Sequence, residues 1–170
     1  MRIDETPIPQ RLRYARLLLG LFIAGLVLSG LTAFPLTREL QVLTSWFGPG
    51  TTVGALLPGL ASWLAYVREG LQTMDREYPF LAYGTDWLAF AHLVIAVAFW
   101  GPLRDPVRNI WVVEFGMIAC LLVIPLALIC GPIRGVPFWW QLLDCSFGVV
   151  GLIPLAMTRK LIRSIPGQPN

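Results

Sequence analysis

Charge is scarce in this sequence: 14% of the residues are Asp, Glu, Lys or Arg, where a soluble domain carries about 25%. Disorder needs high charge and low hydrophobicity, and the chain is 56% hydrophobic with a mean hydropathy of +0.67. The net charge of +3 is scattered around apolar runs. It forms no basic face, which excludes a nucleic-acid partner. Cysteine is sparse as well. Cys120, Cys130 and Cys145 lack the close spacing of a disulfide scaffold, a zinc module or a Cys-x-x-Cys redox pair, so they read as packing residues.

Histidine occurs once, as His92. That falls short of bis-histidine haem ligation, so a haem would need Met117, Met157 or a partner chain for its second ligand, and no spacing signal supports one. His92 with Asp86 or Glu114 matches no recognised metal site. No glycine-rich phosphate loop follows a strand, since no stretch reads convincingly as a strand. No nucleophile–base pair is visible either. No cofactor or metal is expected, and the sequence leans away from an enzyme. An acid in the first apolar run, as a drug exporter would want, is also missing.

What the chain does have is four apolar stretches, at about 15–34, 83–100, 110–129 and 139–157. Each approaches the ~20 residues that a helix needs to cross about 30 Å of hydrocarbon. Pro125 and Pro154 fall inside them, which membrane helices tolerate because neighbours re-satisfy the freed backbone groups. Barrel strands would be alternating segments of about 10 residues, and these are not. The expectation is an all-α integral membrane protein, a four-helix bundle forming one domain over residues 1–170. The first run resembles a signal peptide in its flanking Arg11, Arg13 and Arg16. Its length and the poor fit of Leu31 near the best cleavage position favour an uncleaved anchor.

Alternate loops share the cations unequally. One side holds nine of the thirteen, namely Arg2, Arg11, Arg13, Arg16, Arg104, Arg108, Arg159, Lys160 and Arg163, and the other holds Arg38, Arg68, Arg76 and Arg134. The positive-inside rule then puts both termini in the cytoplasm. Tyr14, Trp100 and Trp111 fall at the inner boundary. Phe34, Tyr83, Trp87, Trp139 and Trp140 fall at the outer one, as an aromatic belt requires. Twelve arginines against one lysine point to a GC-rich bacterial genome, and so to a bacterial cytoplasmic membrane.

Residues 36–79 form an extracytoplasmic insert with two amphipathic helical patterns. Leu36, Leu40, Leu43 and Phe47 mark the first. Leu57, Leu60, Leu64, Val67, Leu71, Met74 and Tyr78 mark the second, opposite Arg68, Glu69, Gln72, Asp75, Arg76 and Glu77. Pro49–Gly50 separates them and Pro79 ends the second. Such helices can lie in the headgroup region on Trp46 and Trp63, cap the bundle, dock a protein partner or close over a ligand. A fifth span through 53–67 would be short, would contain Pro58–Gly59 and would oppose the charge count.

Ionisable groups within spans are functional candidates by default. Counted from the inner boundary at about 1.5 Å per residue, Glu114 lies roughly 6 Å deep, His92 roughly 12 Å, and Asp86 and Asp144 roughly 21 Å. They form either a water-bridged ladder, able to carry protons or hold a quinone's polar head, or four separately satisfied groups. In the second case Glu114 pairs with Arg108 or Arg104, Asp144 bonds Arg134, Gln141 or a backbone donor, and His92 is a polar group linking two helices. Asp86 then caps the second span. Small-x-x-x-small patterns at Gly20/Ala24, Gly25/Ser29 and Gly116/Cys120 suit a tight bundle, and the uncharged outer face of the first span is open to lipid or a partner. Asp105 and Asn109 are placed to satisfy helix ends. Two functions follow. The chain is a non-catalytic membrane component, such as an accessory subunit, assembly factor or sensing module, or it holds a lipophilic substrate, quinone or proton-coupled solute at Asp144 and His92.

Overall fold

The computed structural model describes residues 7–166; Arg2, one of the nine cations counted above, lies outside the described residues. The first helix, α1, runs Ile8–Ala33 and stops before Phe34–Pro35, because the residue before a proline is pushed out of helical geometry. The insert follows as α2 (Leu36–Phe47), α3 (Thr52–Leu56) and α4 (Pro58–Glu77). Gly50, at φ +87°, makes the left-handed turn between α2 and α3. Thr51 then caps α3 by accepting the Gly54 N–H. Pro58 occupies the first turn of α4, where its missing N–H costs nothing.

A 3₁₀ turn, Pro79–Leu81, leads into α5 (Ala82–Ala98) and α6 (Trp100–Arg104). The backbone ladder continues across their junction: Phe99 N–H donates to Ile95 O, and Leu103 N–H donates to Phe99 O, each at 3.1 Å. The second apolar helix thus reaches Arg104, beyond the expected end at Trp100. Finally α7 spans Ile110–Ile133 with Pro125 and Pro132 inside it, and α8 spans Phe138–Arg163 with Pro154 inside it. The described residues contain no strand. Four helices are long and apolar enough to cross a membrane, Ile8–Ala33, Pro79–Arg104, Ile110–Ile133 and Phe138–Arg163, which marks a membrane protein.

Contacts gather into two compact units, Met1–Gly25 with Ile95–Asn170, and Leu26–Val94. In the first, α7 and α8 pack closely through glycines. The backbone of Cys120 abuts Gly148, while Phe99 and Leu155 close on Gly116, and Gln141 on Gly131. Phe99 is fully buried and meets Phe22 ring to ring at 4.8 Å. Leu19, Val113, Leu155 and Ile162 complete this core. In the second unit Gly30 of α1 approaches the Ala89 carbonyl and Leu93 of α5, and α2 packs on α4 over Leu40, Ala61 and Leu64. Gly20 and Gly25 have no neighbour where a Cβ would stand. The small-residue pattern on α1 therefore does not serve close approach there, whereas Gly116 does.

Apolar side chains remain exposed along every long apolar helix. Leu17, Leu21 and Leu28 on α1 are examples, with Trp87 and Val97 on α5, Ile118 and Leu122 on α7, and Phe147 and Val150 on α8. Soluble monomers rarely expose contiguous apolar patches beyond a few hundred Å². Helices so clothed are compatible with contact to a lipid bilayer.

Candidate functional site

The arginine-rich end of the first unit is held together by charge. Glu114, one turn into α7, accepts from Arg159 Nε and Arg163 Nη2 of α8 with its Oε1, each at 2.8 Å. The two arginines are four apart, so helical spacing brings both guanidinium groups to one face. This corrects the expected pairing with Arg104 or Arg108. Nearby, the buried Arg11 donates to both the carbonyl and the hydroxyl of Ser164 at the end of α8. It thereby satisfies a carbonyl that the helix end leaves open and places a cation at the negative pole of the helix dipole. Arg16 donates to Arg104 O at 3.2 Å. The N-terminal end of α1 and the C-terminal end of α8 therefore lie together.

The loop beside them satisfies a helix end as expected, at the close of α6 and not at the start of α7. Asn109 does not cap α7; its Nδ2 donates back to Gly101 O and Asp105 O. Asp105 accepts from the Arg108 N–H within the turn.

Asp144 stands elsewhere in the same unit. Its neighbour Cys145 donates to Ile124 O, ten residues along α7 from Glu114, so the two carboxylates are separated by about 15 Å along the axis. Among the described residues Asp144 forms no hydrogen bond or ion pair. Gln141, its expected partner, instead donates to Val136 O at 2.7 Å.

Asp86 and His92 both lie on α5 in the second unit. Six residues separate them, which is about 9 Å of rise and some 240° of turn. The His92 Nδ1 lies 2.8 Å from Leu88 O; a carbonyl only accepts, so Nδ1 carries the proton and the ring is tied to its own helix. Asp86 faces a cavity of about 420 Å³ formed by the turn after α1 and by α2, α4 and α5. Arg38, Asp75 and Thr85 share its wall, with Phe34, Leu71 and Met74 as apolar lining. Thr37 Oγ1 donates to Asp75 Oδ2 at 2.7 Å across it. The cavity has the size of a small-ligand site, but His92 does not line it.

Of the four candidates, then, Glu114 is matched by two arginines, His92 is bound to its own helix, Asp86 borders a cavity and Asp144 is alone. No cluster of three metal-ligating side chains occurs among the described residues. The sequence did carry a signal for the arginine clamp, in the four-residue spacing of Arg159 and Arg163 at the depth of Glu114. Arg38 and Asp75, far apart in sequence, carried none. No family model matches the chain, nor does any curated protein or solved structure.

Proposed function

We propose that this chain is a non-catalytic component of a bacterial cytoplasmic membrane, acting as an accessory subunit, assembly factor or sensing module. In this reading the four apolar helices form a bundle across the membrane, with both termini in the cytoplasm and residues 36–79 outside. The observation that carries it is the clamp of Arg159 and Arg163 on Glu114. A carboxylate neutralised by two cations has a structural partner set and needs no substrate. The helix-bound imidazole of His92 supports the same view. Partner contacts fall to the charged base of the insert and to the uncharged face of α1.

Complementation tests this. In a strain deleted for the gene, His92→Ala and Asp144→Asn should restore the wild-type phenotype at normal protein levels. Loss of the phenotype with the folded protein still present overturns the non-catalytic reading.

A second reading is favoured by one observation, the cavity beside Asp86 with Arg38 and Asp75 on its wall. Such a wall offers both signs of charge over an apolar floor and suits a small amphiphilic or zwitterionic solute. It moves the expected ligand site from Asp144 and His92 toward the outer insert. Loss of function in Arg38→Ala and Asp86→Asn, with His92→Ala intact, would select it.

A further inference from the structure

The insert separates its charge along its length. From Gln41 to Val67 the chain has no Asp, Glu, Lys, Arg or His, while Arg38, Glu39, Arg68, Glu69, Asp75, Arg76 and Glu77 all lie toward its base. Two hydrogen bonds set the register of α2 on α4: Thr37 to Asp75, and Arg68 to Thr44. Seven residues forward on α2 match seven back on α4, so the pair is an antiparallel hairpin. Its end, beyond the level of Arg68, is uncharged on both helices.

That end is apolar outside as well as inside. Trp46 is 67% exposed and Leu56 76% exposed, and Leu57 and Tyr66 are exposed beside them. A helix lying flat on a surface divides polar from apolar around its circumference. Here the division also runs along the axis. The uncharged part of α4, Pro58–Val67, rises about 15 Å, half of the roughly 30 Å hydrocarbon thickness of a bilayer.

Four of its hydroxyls turn inward to backbone, which lowers the cost of a dry environment. Thr44 and Ser45 donate their hydroxyls to Leu40 O and Val42 O of their own helix, and Ser62 donates to Pro58 O. At the turn Thr51 Oγ1 donates to Gly48 O and accepts the Gly54 N–H, both at 2.9 Å. Exposed apolar groups continue from the same unit onto the membrane-spanning helix, at Phe80, Leu81 and Trp87.

We propose that the α2–α4 hairpin is a re-entrant element, its end from Trp46 to Val67 buried in one leaflet of the bilayer with Arg68 and Glu69 at headgroup level. Lipid is the occupant that the charge distribution and the length select. The proposal needs the chain to be membrane-embedded; it is independent of the non-catalytic reading, and holds whichever side the insert faces. Complementation by the His92 and Asp144 variants bears on that reading alone.

The test uses the full chain in lipid nanodiscs, with Cys120, Cys130 and Cys145 changed to Ala and a nitroxide attached at Trp46→Cys, Leu56→Cys or Gln72→Cys. Collision with oxygen should dominate at 46 and 56, and collision with an aqueous nickel chelate should fall there several-fold below its value at 72. Equal nickel access at 46, 56 and 72 overturns the proposal. So does shielding of 46 and 56 from both reagents, the signature of a protein contact. As a check that keeps the native cysteines, Trp46→Phe should lower the tryptophan emission quenched by mid-chain brominated lipid; unchanged quenching overturns it.

Discussion

Replacing Gly148 with alanine tests the packing of α7 on α8. A Cβ at Gly148 would press into the backbone carbonyl of Cys120, with Val123 Cβ at 3.3 Å behind it. A carbonyl fixed in a helix cannot rotate away, so the two helices must part. Overpacking of this kind costs about 1–3 kcal/mol, against which the better helix propensity of alanine returns up to about 1 kcal/mol. Gly20→Ala and Gly25→Ala are the controls. Nothing lies within 4 Å of either new methyl, so these keep the propensity gain and lose nothing. The expected gap between Gly148→Ala and the controls is about 2 kcal/mol, or more than tenfold in the unfolding constant. Gly151→Ala should fall between them, because its neighbours are the Cys120 thiol at 3.0 Å and the Phe22 ring at 3.3 Å, both side chains able to shift. Reversible unfolding of the purified protein in mixed micelles, or steric trapping in bicelles, measures the series. Equal stability of Gly148→Ala and Gly20→Ala would refute the packing described for α7 and α8.

Other perturbations follow from the same geometry. Glu114→Gln should lower stability by about 1 kcal/mol, since its bridges are one-third exposed and such pairs are worth roughly 0.2–1 kcal/mol each. A double-mutant cycle with Arg159→Met checks this, and zero coupling would count against the clamp. Arg11→Ala should cost roughly 1.5–3 kcal/mol, the range for charge-assisted bonds, and hydrogen exchange should rise in the last turn of α8; unchanged exchange there contradicts the Ser164 contact. Thr51→Ala should destabilise the insert by about 0.5–2 kcal/mol through the lost cap, read as faster amide hydrogen exchange in α3 of the micelle-solubilised protein, with exchange in α7 and α8 unaffected.

Periodicity and proline positions announced most of the helices. Pro49–Gly50 and Pro79 interrupt the backbone ladder locally, so two helices of the insert could be bounded without knowing their neighbours, whereas the five-residue α3 carried no periodic signal. Side-chain partners were less legible, because they depend on the register between helices. Glu114 was expected to use the adjacent loop arginines, yet antiparallel packing of α7 on α8 brings Arg159 and Arg163 to it from 45 and 49 residues away. Glycine patterns had the same ambiguity. Gly20, Gly25 and Gly116 look alike in sequence, and only Gly116 faces a neighbour. The cavity beside Asp86 was invisible for that reason too, since Arg38 and Asp75 reach it from separate helices.

Topology is the claim on which the proposed function rests most directly, and reporter fusions measure it. Green fluorescent protein joined after Asn170 should fluoresce, and alkaline phosphatase inserted at Gly135, between α7 and α8, should be active. A dark carboxyl-terminal fusion with active phosphatase at the same end, or an inactive phosphatase at Gly135, would contradict four crossings that begin and end in the cytoplasm.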